Sequence, residues 1–308
     1  MIEARELTKR YGAKVAVDQL SFDVRPGVVT GFLGPNGSGK STTMRMIMGL
    51  DAPNAGSVSV NGQRYHDLAW PLREVGALLE ARAIHPGRSA RAHLRMLAET
   101  NKIPSRRIDE VLELVGLSEV AGRRAGKFSL GMGQRLGIAA ALLGDPGVLL
   151  FDEPVNGLDP DGIRWVRNLL KSLARDGRTV FVSSHLMSEM ALTADEVIVI
   201  GRGRLIAQQR IDELVTMSAQ RYVSVRSPAI DRLVAVLASR GATLQREDDG
   251  SFAVRGLEAS EIGEIAAAEG AVLHELAPHT ASLEEAYMEL TDESVEYRGA
   301  SGTKVRSE

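Results

Sequence analysis

The segment Gly-Pro-Asn-Gly-Ser-Gly-Lys-Ser at residues 34–41 limits the folds open to this chain more than any other stretch. It matches the pattern G-x-x-x-x-G-K-[ST] in full, and its glycines let the backbone curl until successive N–H groups point at phosphate oxygens. The apolar run Val28–Leu33 predicts a buried strand before the segment, and Lys40–Met48 predicts a helix after it. This order predicts an α/β fold with a phosphate-binding loop at the end of a strand.

The chemistry expected of the loop follows from its residue types. Lys40 supplies positive charge for the β- and γ-phosphates of a nucleotide, and the Ser41 hydroxyl is suited to bind Mg²⁺. The positive end of the helix adds to the attraction for phosphate. The residues in and directly after this segment that we expect to bind ATP are Gly34, Asn36, Gly37, Ser38, Gly39, Lys40, Ser41 and Thr42.

Two carboxylates follow another predicted strand, Val148–Phe151. Ligands of open α/β sheets bind at the carboxyl ends of the strands, where Asp152 and Glu153 stand. Asp152 is suited to hold Mg²⁺ through its water shell, and Glu153 to polarise an attacking water. A strand that ends in Asp-Glu is common and by itself does not indicate a catalytic site. Here it supports one because it follows a phosphate-binding loop in the same chain.

Further apolar runs at Thr179–Val182 and Val197–Ile200 predict strands, so we expect a largely parallel sheet in the first two thirds of the chain. Between Glu80 and Asp145 the apolar spacing becomes helical, which predicts a helical subdomain over about residues 81–145. Its predicted helices are Ala92–Thr100, Ile108–Val115 and Arg135–Leu143.

The pattern changes near Arg221, which predicts an ATPase domain at residues 1–219 and an accessory domain at residues 220–308. The second domain has the order βαββαβ of a small ferredoxin-like α+β unit, and Asp248-Asp249-Gly250 indicates its hairpin. Its predicted strands are Tyr222–Val225, Ala242–Gln245, Phe252–Val254 and Val272–Leu276, and its predicted helices are Asp231–Ser239, Ile262–Ala268 and Ser282–Leu290.

Composition disfavours or excludes several classes of function. The net charge of −3 and the pI of about 6.1 disfavour a nucleic-acid partner. The absence of cysteine excludes disulfides, thiolate zinc sites and thiol nucleophiles. The first six residues lack the basic and apolar parts of a signal peptide, and no run approaches the ~18 apolar residues of a membrane span. We therefore expect a cytoplasmic protein that could serve a membrane only through another chain.

Three more motifs point to a family. Phe-Ser-Leu-Gly-Met-Gly-Gln-Arg-Leu at residues 128–136 resembles the signature motif of ABC ATPases, usually written LSGGQ. Asn156–Pro160 resembles their D-loop, Ser183–His185 resembles their switch-histidine segment, and Tyr11 sits where they stack an aromatic ring on adenine. With the phosphate-binding loop and the carboxylates, these motifs follow the order of the family.

The resemblance implies a P-loop ATP hydrolase in which two copies pack head to tail around ATP and Mg²⁺. Ser129 and the Gly131 amide would bind the γ-phosphate from across the interface, Asp159 would belong to the nucleotide-binding set, and His185 would sense the γ-phosphate. Taken alone, His185 would be interpreted as an exposed residue at a strand end and Tyr11 as a packing residue. The order of the motifs favours the functional roles.

The chain departs from the family pattern at a few positions. Leu130 and Met132 replace the usual glycine and glutamine of the signature, and Gly133 replaces a basic or amide residue. Val75–Glu80 stands where the family has its Q-loop, with Glu80 in place of glutamine. Either side chain offers an oxygen to Mg²⁺, so Glu80 is a candidate metal ligand. The alternative is that Glu80 is a surface acid and the Q-loop lies elsewhere.

The end of the chain narrows the subclass by resemblance. The predicted helix Ser282–Leu290 has Ser282 as N-cap and Glu285 at the capping-box position. Ser282–Thr291 and Ser294–Tyr297 resemble the tail of the ATPases of ABC-2-type exporters of the daunorubicin-resistance group. The resemblance implies efflux of drugs, antibiotics or other lipophilic compounds.

Such an ATPase is expected at the cytoplasmic face of the membrane, peripherally bound to a multi-span permease. The docking surface is predicted around Ala81–Leu97, where His85-Pro86-Gly87-Arg88 indicates a rigid exposed loop, or alternatively an ordinary turn between helices. An ATPase of an ABC importer remains an alternative function. A non-transport ABC ATPase is another, although chromosome-maintenance types insert a long coiled coil and translation factors carry two cassettes.

Overall fold

The computed structural model describes residues 1–80, 84–217, 221–247, 249–280 and 282–291. Several predicted features lie outside these ranges: residues 81–83 of the docking segment, the domain boundary at residue 219, Asp248 of the hairpin, and residues 294–297 of the tail. The described chain forms two compact units. One contains Met1–Ile211 together with Leu290 and Thr291, and the other contains Asp212–Glu289.

The first unit is built on a six-stranded sheet and a three-stranded sheet. Its strands are β1 (Ile2–Tyr11), β2 (Lys14–Val24), β3 (Val29–Leu33), β4 (Ala55–Val60), β5 (Val75–Leu78), β6 (Val148–Asp152), β7 (Thr179–Ser183), β8 (Glu196–Gly201) and β9 (Arg204–Arg210). The larger sheet has the order β5-β6-β7-β3-β8-β9, with β9 antiparallel to β8 and the other neighbours parallel. The four strands predicted at β3, β6, β7 and β8 are confirmed to within one residue at each end.

Buried strands explain why this sheet could be predicted. Every residue of β3, β7 and β8 is buried, as expected for parallel strands that are covered on both faces. Such strands appear in the sequence as short continuous apolar runs, which is the pattern used above.

The smaller sheet, with the antiparallel order β2-β1-β4, was not predicted. Its pairing is irregular, with register shifts between β1 and β2 and left-handed backbone at Glu6 (φ 48°) and Gln19 (φ 49°). These irregularities break the strict alternation of apolar residues. Phe22 of this sheet lies 5.8 and 5.7 Å, between ring centroids, from Phe32 and Phe181 of the larger sheet, so both sheets share one core.

The helices of the first unit are α1 (Lys40–Ile47), α2 (Pro71–Glu74), α3 (Ala90–Thr100), α4 (Arg106–Leu114), α5 (Leu130–Leu142), α6 (Pro160–Arg175) and α7 (Met187–Thr193). Helix α8 (Ile211–Met217) begins at the last residue of the stretch Met1–Ile211, and its other residues belong to the second unit. The predicted helices at α1, α3, α4 and α5 are confirmed, although α5 begins five residues earlier than predicted. Helix α5 packs closely on β5, because a Cβ at Gly76 would lie 2.0 Å from the Ala141 carbonyl oxygen.

The second unit contains a four-stranded antiparallel sheet of β10 (Tyr222–Arg226), β11 (Thr243–Arg246), β12 (Phe252–Arg255) and β13 (Glu275–His279), with α9 (Ile230–Ser239), α10 (Ala259–Ala268) and all but the last two residues of α11 (Leu283–Thr291). The strand order β11-β12-β10-β13 places β12 between the strands of the first βαβ unit and β10 between those of the second. This is the predicted split βαβ arrangement.

The last strand of the second unit corrects the prediction. It begins at Glu275 and not at Val272, because β13 pairs with β10 from Glu275↔Arg226 to His279↔Tyr222. Val272 is 65% exposed. The predicted capping box at the start of α11 is confirmed: the Glu285 N–H donates to Ser282 Oγ at 3.1 Å, and the Ser282 N–H donates to the Glu285 carboxylate at 2.7 Å.

Candidate functional site

The phosphate-binding loop connects β3 to α1, and its glycines are required by geometry. Gly37 and Gly39 have φ of 82° and 106°, a region that residues with a Cβ rarely adopt. A Cβ at Gly34 would lie 2.6 Å from the carbonyl oxygen of Ile200 in β8. The loop conformation therefore requires glycine at these three positions.

Lys40, the first residue of α1, is buried inside the curled loop. Its Nζ donates hydrogen bonds to the carbonyl oxygens of Gly34 at 2.6 Å and Pro35 at 3.2 Å. Burial lowers the pKa of Lys40, and the negative charges of Glu153 and Asp152 oppose this effect. The ammonium group is thus held at the centre of the loop, partly desolvated, where a phosphate oxygen can replace the carbonyl oxygens as its partner.

A cleft of about 610 Å³ opens over this loop, a size typical of small-molecule sites. The predicted site residues that line it are Tyr11, Asn36, Gly37, Gly39, Lys40, Ser41, Thr42, Asp152 and Glu153. Lys14, Ala16, Leu79, Leu130, Gln134 and Asn156 complete the lining. The structure therefore brings the loop, the carboxylates and the predicted base-stacking tyrosine together, although they are far apart in the sequence.

One serine, for which no role was predicted, bonds the Asp152 carboxylate and the backbone of Glu153. Ser183, at the end of β7, donates from Oγ to Asp152 Oδ1 at 2.5 Å and accepts from the Glu153 N–H at 3.0 Å. The side chain of Gln134 donates to the Glu153 carbonyl oxygen at 2.9 Å. These bonds fix a backbone that Glu153 adopts at φ 51°, in the left-handed region.

Glu153 lines the cleft and pairs with His185, which is not among the residues that line it. The Nδ1 atom of His185 lies 2.7 Å from Glu153 Oε2, and the His185 N–H donates to the same oxygen at 3.3 Å. The carboxylate is about one quarter exposed and the imidazole about half exposed. A carboxylate that is oriented by a histidine and remains accessible to water is suited to accept a proton.

The predicted metal ligands Ser41 and Asp152 face the same cleft. Within the described ranges, no group of three or more His, Asp or Glu side chains could hold a metal ion. Mg²⁺ commonly binds through one or two carboxylates together with substrate phosphates and water. A hydroxyl and a carboxylate beside a phosphate-binding loop fit a magnesium ion that binds together with the nucleotide.

Glu80 lies in a neighbouring cleft of about 570 Å³, to which Ser41, Asp152 and Arg45 also contribute. Its side chain is exposed. Glu80 shares this neighbouring cleft with Ser41 and Asp152, but it does not line the cleft over the phosphate-binding loop. Its role as a metal ligand therefore stays a prediction.

The predicted signature residues start helix α5. Ser129 is the N-cap, and its Oγ accepts from the Met132 N–H at 3.2 Å. The side chain of Leu130 packs over Gly157, where a Cβ would lie 2.1 Å from Leu130 Cδ2. The leucine that departs from the family pattern thus fits against a glycine of the predicted D-loop.

Asp159 caps α6 by accepting from the Gly162 N–H at 2.8 Å. Ser129 and Asp159 are exposed and Gly131 is half-buried, and none of these three lines the cleft over the loop. The cleft of a single chain thus contains part of the predicted nucleotide-binding set.

Comparison with known proteins adds two family matches. The family model described as "ABC transporter" matches residues 17–156. A domain of unknown function matches residues 221–284, within the second unit.

Similar proteins cover most of the chain. An uncharacterized ABC transporter ATP-binding protein, YhcH of Bacillus subtilis, is 37% identical over 300 residues, which are 96% of this chain and 97% of that protein. The bacitracin transport ATP-binding protein BcrA of Bacillus licheniformis is 43% identical over 217 residues, 70% of this chain and 71% of that protein.

Solved structures have the same fold. An ATP-binding subunit of an ABC transporter is 26% identical, with a TM-score of 0.65 over 77% of this chain and 99% of that one. A bacterial ABC transporter cassette solved as a dimer is 24% identical, with a TM-score of 0.63 over 68% of this chain and 98% of that one. The likeness to the second structure concerns the fold alone.

Proposed function

The chain belongs to the ATP-binding proteins of ABC transporters, and from this premise we propose that it hydrolyses ATP to power the export of antibiotics or other lipophilic compounds. The export passes through a separate multi-span membrane protein. The observation that carries the proposal is that Glu153 lines the cleft over the phosphate-binding loop and pairs with His185, whose Nδ1 lies 2.7 Å from the Glu153 carboxylate.

The hydrolysis assigned to this cleft is the attack of water on the γ-phosphorus. Glu153 accepts a proton from the water as its oxygen forms a bond to phosphorus, and the bond from phosphorus to the β–γ bridging oxygen breaks, which gives ADP and phosphate. Lys40 offsets charge on the phosphate oxygens, and His185 orients the Glu153 carboxylate. Mg²⁺, held by Ser41 and Asp152, would neutralise phosphate charge in this site.

A second copy of the chain completes the site in this proposal. Ser129 and Gly131 lie at the N-terminus of α5, where backbone N–H groups and the helix dipole favour a phosphate. Ser129 is exposed and outside the cleft of its own chain. A head-to-tail dimer would place these groups over the phosphate-binding loop of the partner, and the dimeric cassette of similar fold is consistent with this assembly.

The membrane partner is assigned from the transport proteins that the chain resembles. No helix in the described part of the chain is long and apolar enough to cross a bilayer. The cleft beside Glu80 is lined in part by Ile84, His93 and Leu97, which belong to the segment predicted to dock the permease. The name of the similar bacitracin transport protein supports an antibiotic as the exported compound. The chain would work at the cytoplasmic face of the membrane.

Affinity purification of the tagged chain from native membranes tests the transport part. We expect a multi-span membrane protein in the purified complex, and cells that carry Lys40→Ala should become sensitive to the exported antibiotic. Lys171→Ala, a half-buried lysine of α6 outside the cleft, is the control and should leave resistance unchanged. Purification of the chain together with ribosomes or DNA, and without a membrane protein, would contradict the transport function. Loss of uptake of a compound in the Lys40→Ala cells would indicate an importer.

A further inference from the structure

Tyr11, the ring predicted to stack on the base of ATP, is held by a residue outside all of the motifs. Tyr11 ends β1 and is 47% exposed at the edge of the cleft. Its hydroxyl donates to Asp51 Oδ2 at 2.9 Å. An exposed tyrosine without such a bond would sample several rotamers, so the bond selects one orientation of the ring.

Asp51 is itself fixed by the helix that follows the phosphate-binding loop. Arg45, in the last turn of α1, donates from Nε to Asp51 Oδ2 at 2.7 Å and from Nη2 to Oδ1 at 3.4 Å. The hydrogen bond from Arg45 is the main cause that lowers the pKa of Asp51 and keeps the carboxylate ionised as an acceptor. The ring is therefore connected through two side chains to the helix that begins with Lys40.

The residues after Asp51 hold the rest of the strand end. The Asn54 N–H donates to the Thr8 carbonyl oxygen at 2.8 Å, and Asn54 Oδ1 accepts from the Arg10 N–H at 2.7 Å. Lys9 Nζ donates to the Ala52 carbonyl oxygen at 2.7 Å and lies 5.1 Å from the centroid of the tyrosine ring. Each of the last four residues of β1 is thus bonded to the segment 51–54.

We infer that Asp51 is a positioning residue for nucleotide binding, which fixes the Tyr11 ring relative to the phosphate-binding loop so that base and phosphates bind together. The inference rests on the proposed function, because it takes Tyr11 to stack on the base of ATP. Asp51 acts only through Tyr11 and Arg45, and it makes no contact with the phosphates. Its effect is therefore confined to ligands that carry a base.

Binding of ATP and of inorganic tripolyphosphate to the full chain separates this role from a structural one. Tyr11→Phe keeps the ring and removes the hydroxyl, and Asp51→Ala removes the acceptor. Each change should weaken ATP binding about 3- to 10-fold, the range expected for one hydrogen bond. The double variant should bind ATP as each single variant does, and the affinity for tripolyphosphate should not change. In steady-state hydrolysis KM should rise while kcat stays the same.

Asp109→Ala is the matched control, because Asp109 is an exposed carboxylate of α4 that also accepts a hydrogen bond from an arginine, Arg91, at 2.6 Å. It should change neither affinity. Additive losses in the double variant, or an equal loss for tripolyphosphate, would overturn the inference. If Asp51→Ala does not fold, Tyr11→Phe decides the matter alone. Lys40→Ala distinguishes a failure of the proposed function from a failure of this inference. Unchanged ATP affinity in Lys40→Ala would contradict the proposed function itself. Loss of ATP affinity in Lys40→Ala, together with unchanged ATP affinity in Tyr11→Phe, would contradict only the role of Asp51.

Discussion

Replacement of Ser183 by alanine should slow ATP hydrolysis without preventing ATP binding. The hydroxyl donates to the Asp152 carboxylate and accepts from the backbone N–H of Glu153, and the residue is fully buried. Alanine leaves the Glu153 N–H without this partner, at a backbone already in the left-handed region. Two lost hydrogen bonds cost about 1–3 kcal/mol of folding stability.

The substitution should also slow catalysis, because Glu153 must direct one oxygen at the attacking water. A shift of a catalytic group by about 1 Å costs up to about 10²-fold in rate, so kcat should fall about 10- to 100-fold, or about 1.4–2.8 kcal/mol of barrier. The assay is steady-state release of phosphate, with equilibrium binding of ATP measured in parallel.

Ser227→Ala is a matched control in the second unit. Its hydroxyl is also buried, donates to the Val272 carbonyl oxygen at 2.8 Å and accepts from the Ala229 N–H at 3.1 Å. Both variants should lose similar stability in denaturant unfolding, and only Ser183→Ala should lose kcat. Equal kcat in the two variants would refute the assignment of Ser183 as the residue that orients the carboxylates.

Two further predictions concern packing and charge. Gly76→Ala should lower the free energy of unfolding by about 2–3 kcal/mol, because its Cβ would lie 2.0 Å from the Ala141 carbonyl oxygen. Gly147→Ala is the control and should be nearly neutral, because a Cβ at Gly147 would meet open space. Chemical denaturation measures both variants, and equal stabilities would contradict the close packing at Gly76. Burial lowers the pKa of Lys40 in the free protein below the usual 10.5, and bound phosphates favour the charged form of its side chain. ATP affinity should therefore fall as the pH rises through this lowered pKa, and the protein should take up a proton when ATP binds. Calorimetry in buffers of different ionisation enthalpy measures this uptake, which should vanish in Lys40→Arg; uptake that persists there would contradict the role of Lys40.

The parts of the site that sequence predicts best are those encoded in consecutive residues. The phosphate-binding loop needs glycine where φ is positive, so its conformation is visible in the pattern at residues 34–41. The carboxylates at 152 and 153 follow a strand that is recognisable because it is buried on both faces. Local sequence therefore predicts these elements and the end of the sheet where they meet.

The supporting contacts could not be predicted because they join residues distant in the chain. Ser183 bonds residues about thirty positions earlier, and Asp51 bonds a tyrosine forty positions earlier. A serine at a strand end and an aspartate in a loop are common surface residues, and only the strand order brings them to the site. The smaller sheet was missed for a related reason, since its bulged strands lack regular alternation.

Hydrolysis of ATP by Glu153→Gln tests the central claim most directly. Glutamine keeps the shape of the side chain and cannot accept the proton, so turnover should fall about 10²- to 10⁴-fold, or about 3–5 kcal/mol of barrier, while ATP affinity is retained. With ATP and Mg²⁺ the variant should elute as a dimer in size-exclusion chromatography, since the ATP that joins two copies is not consumed. Turnover close to that of the unaltered protein would contradict the account of this site.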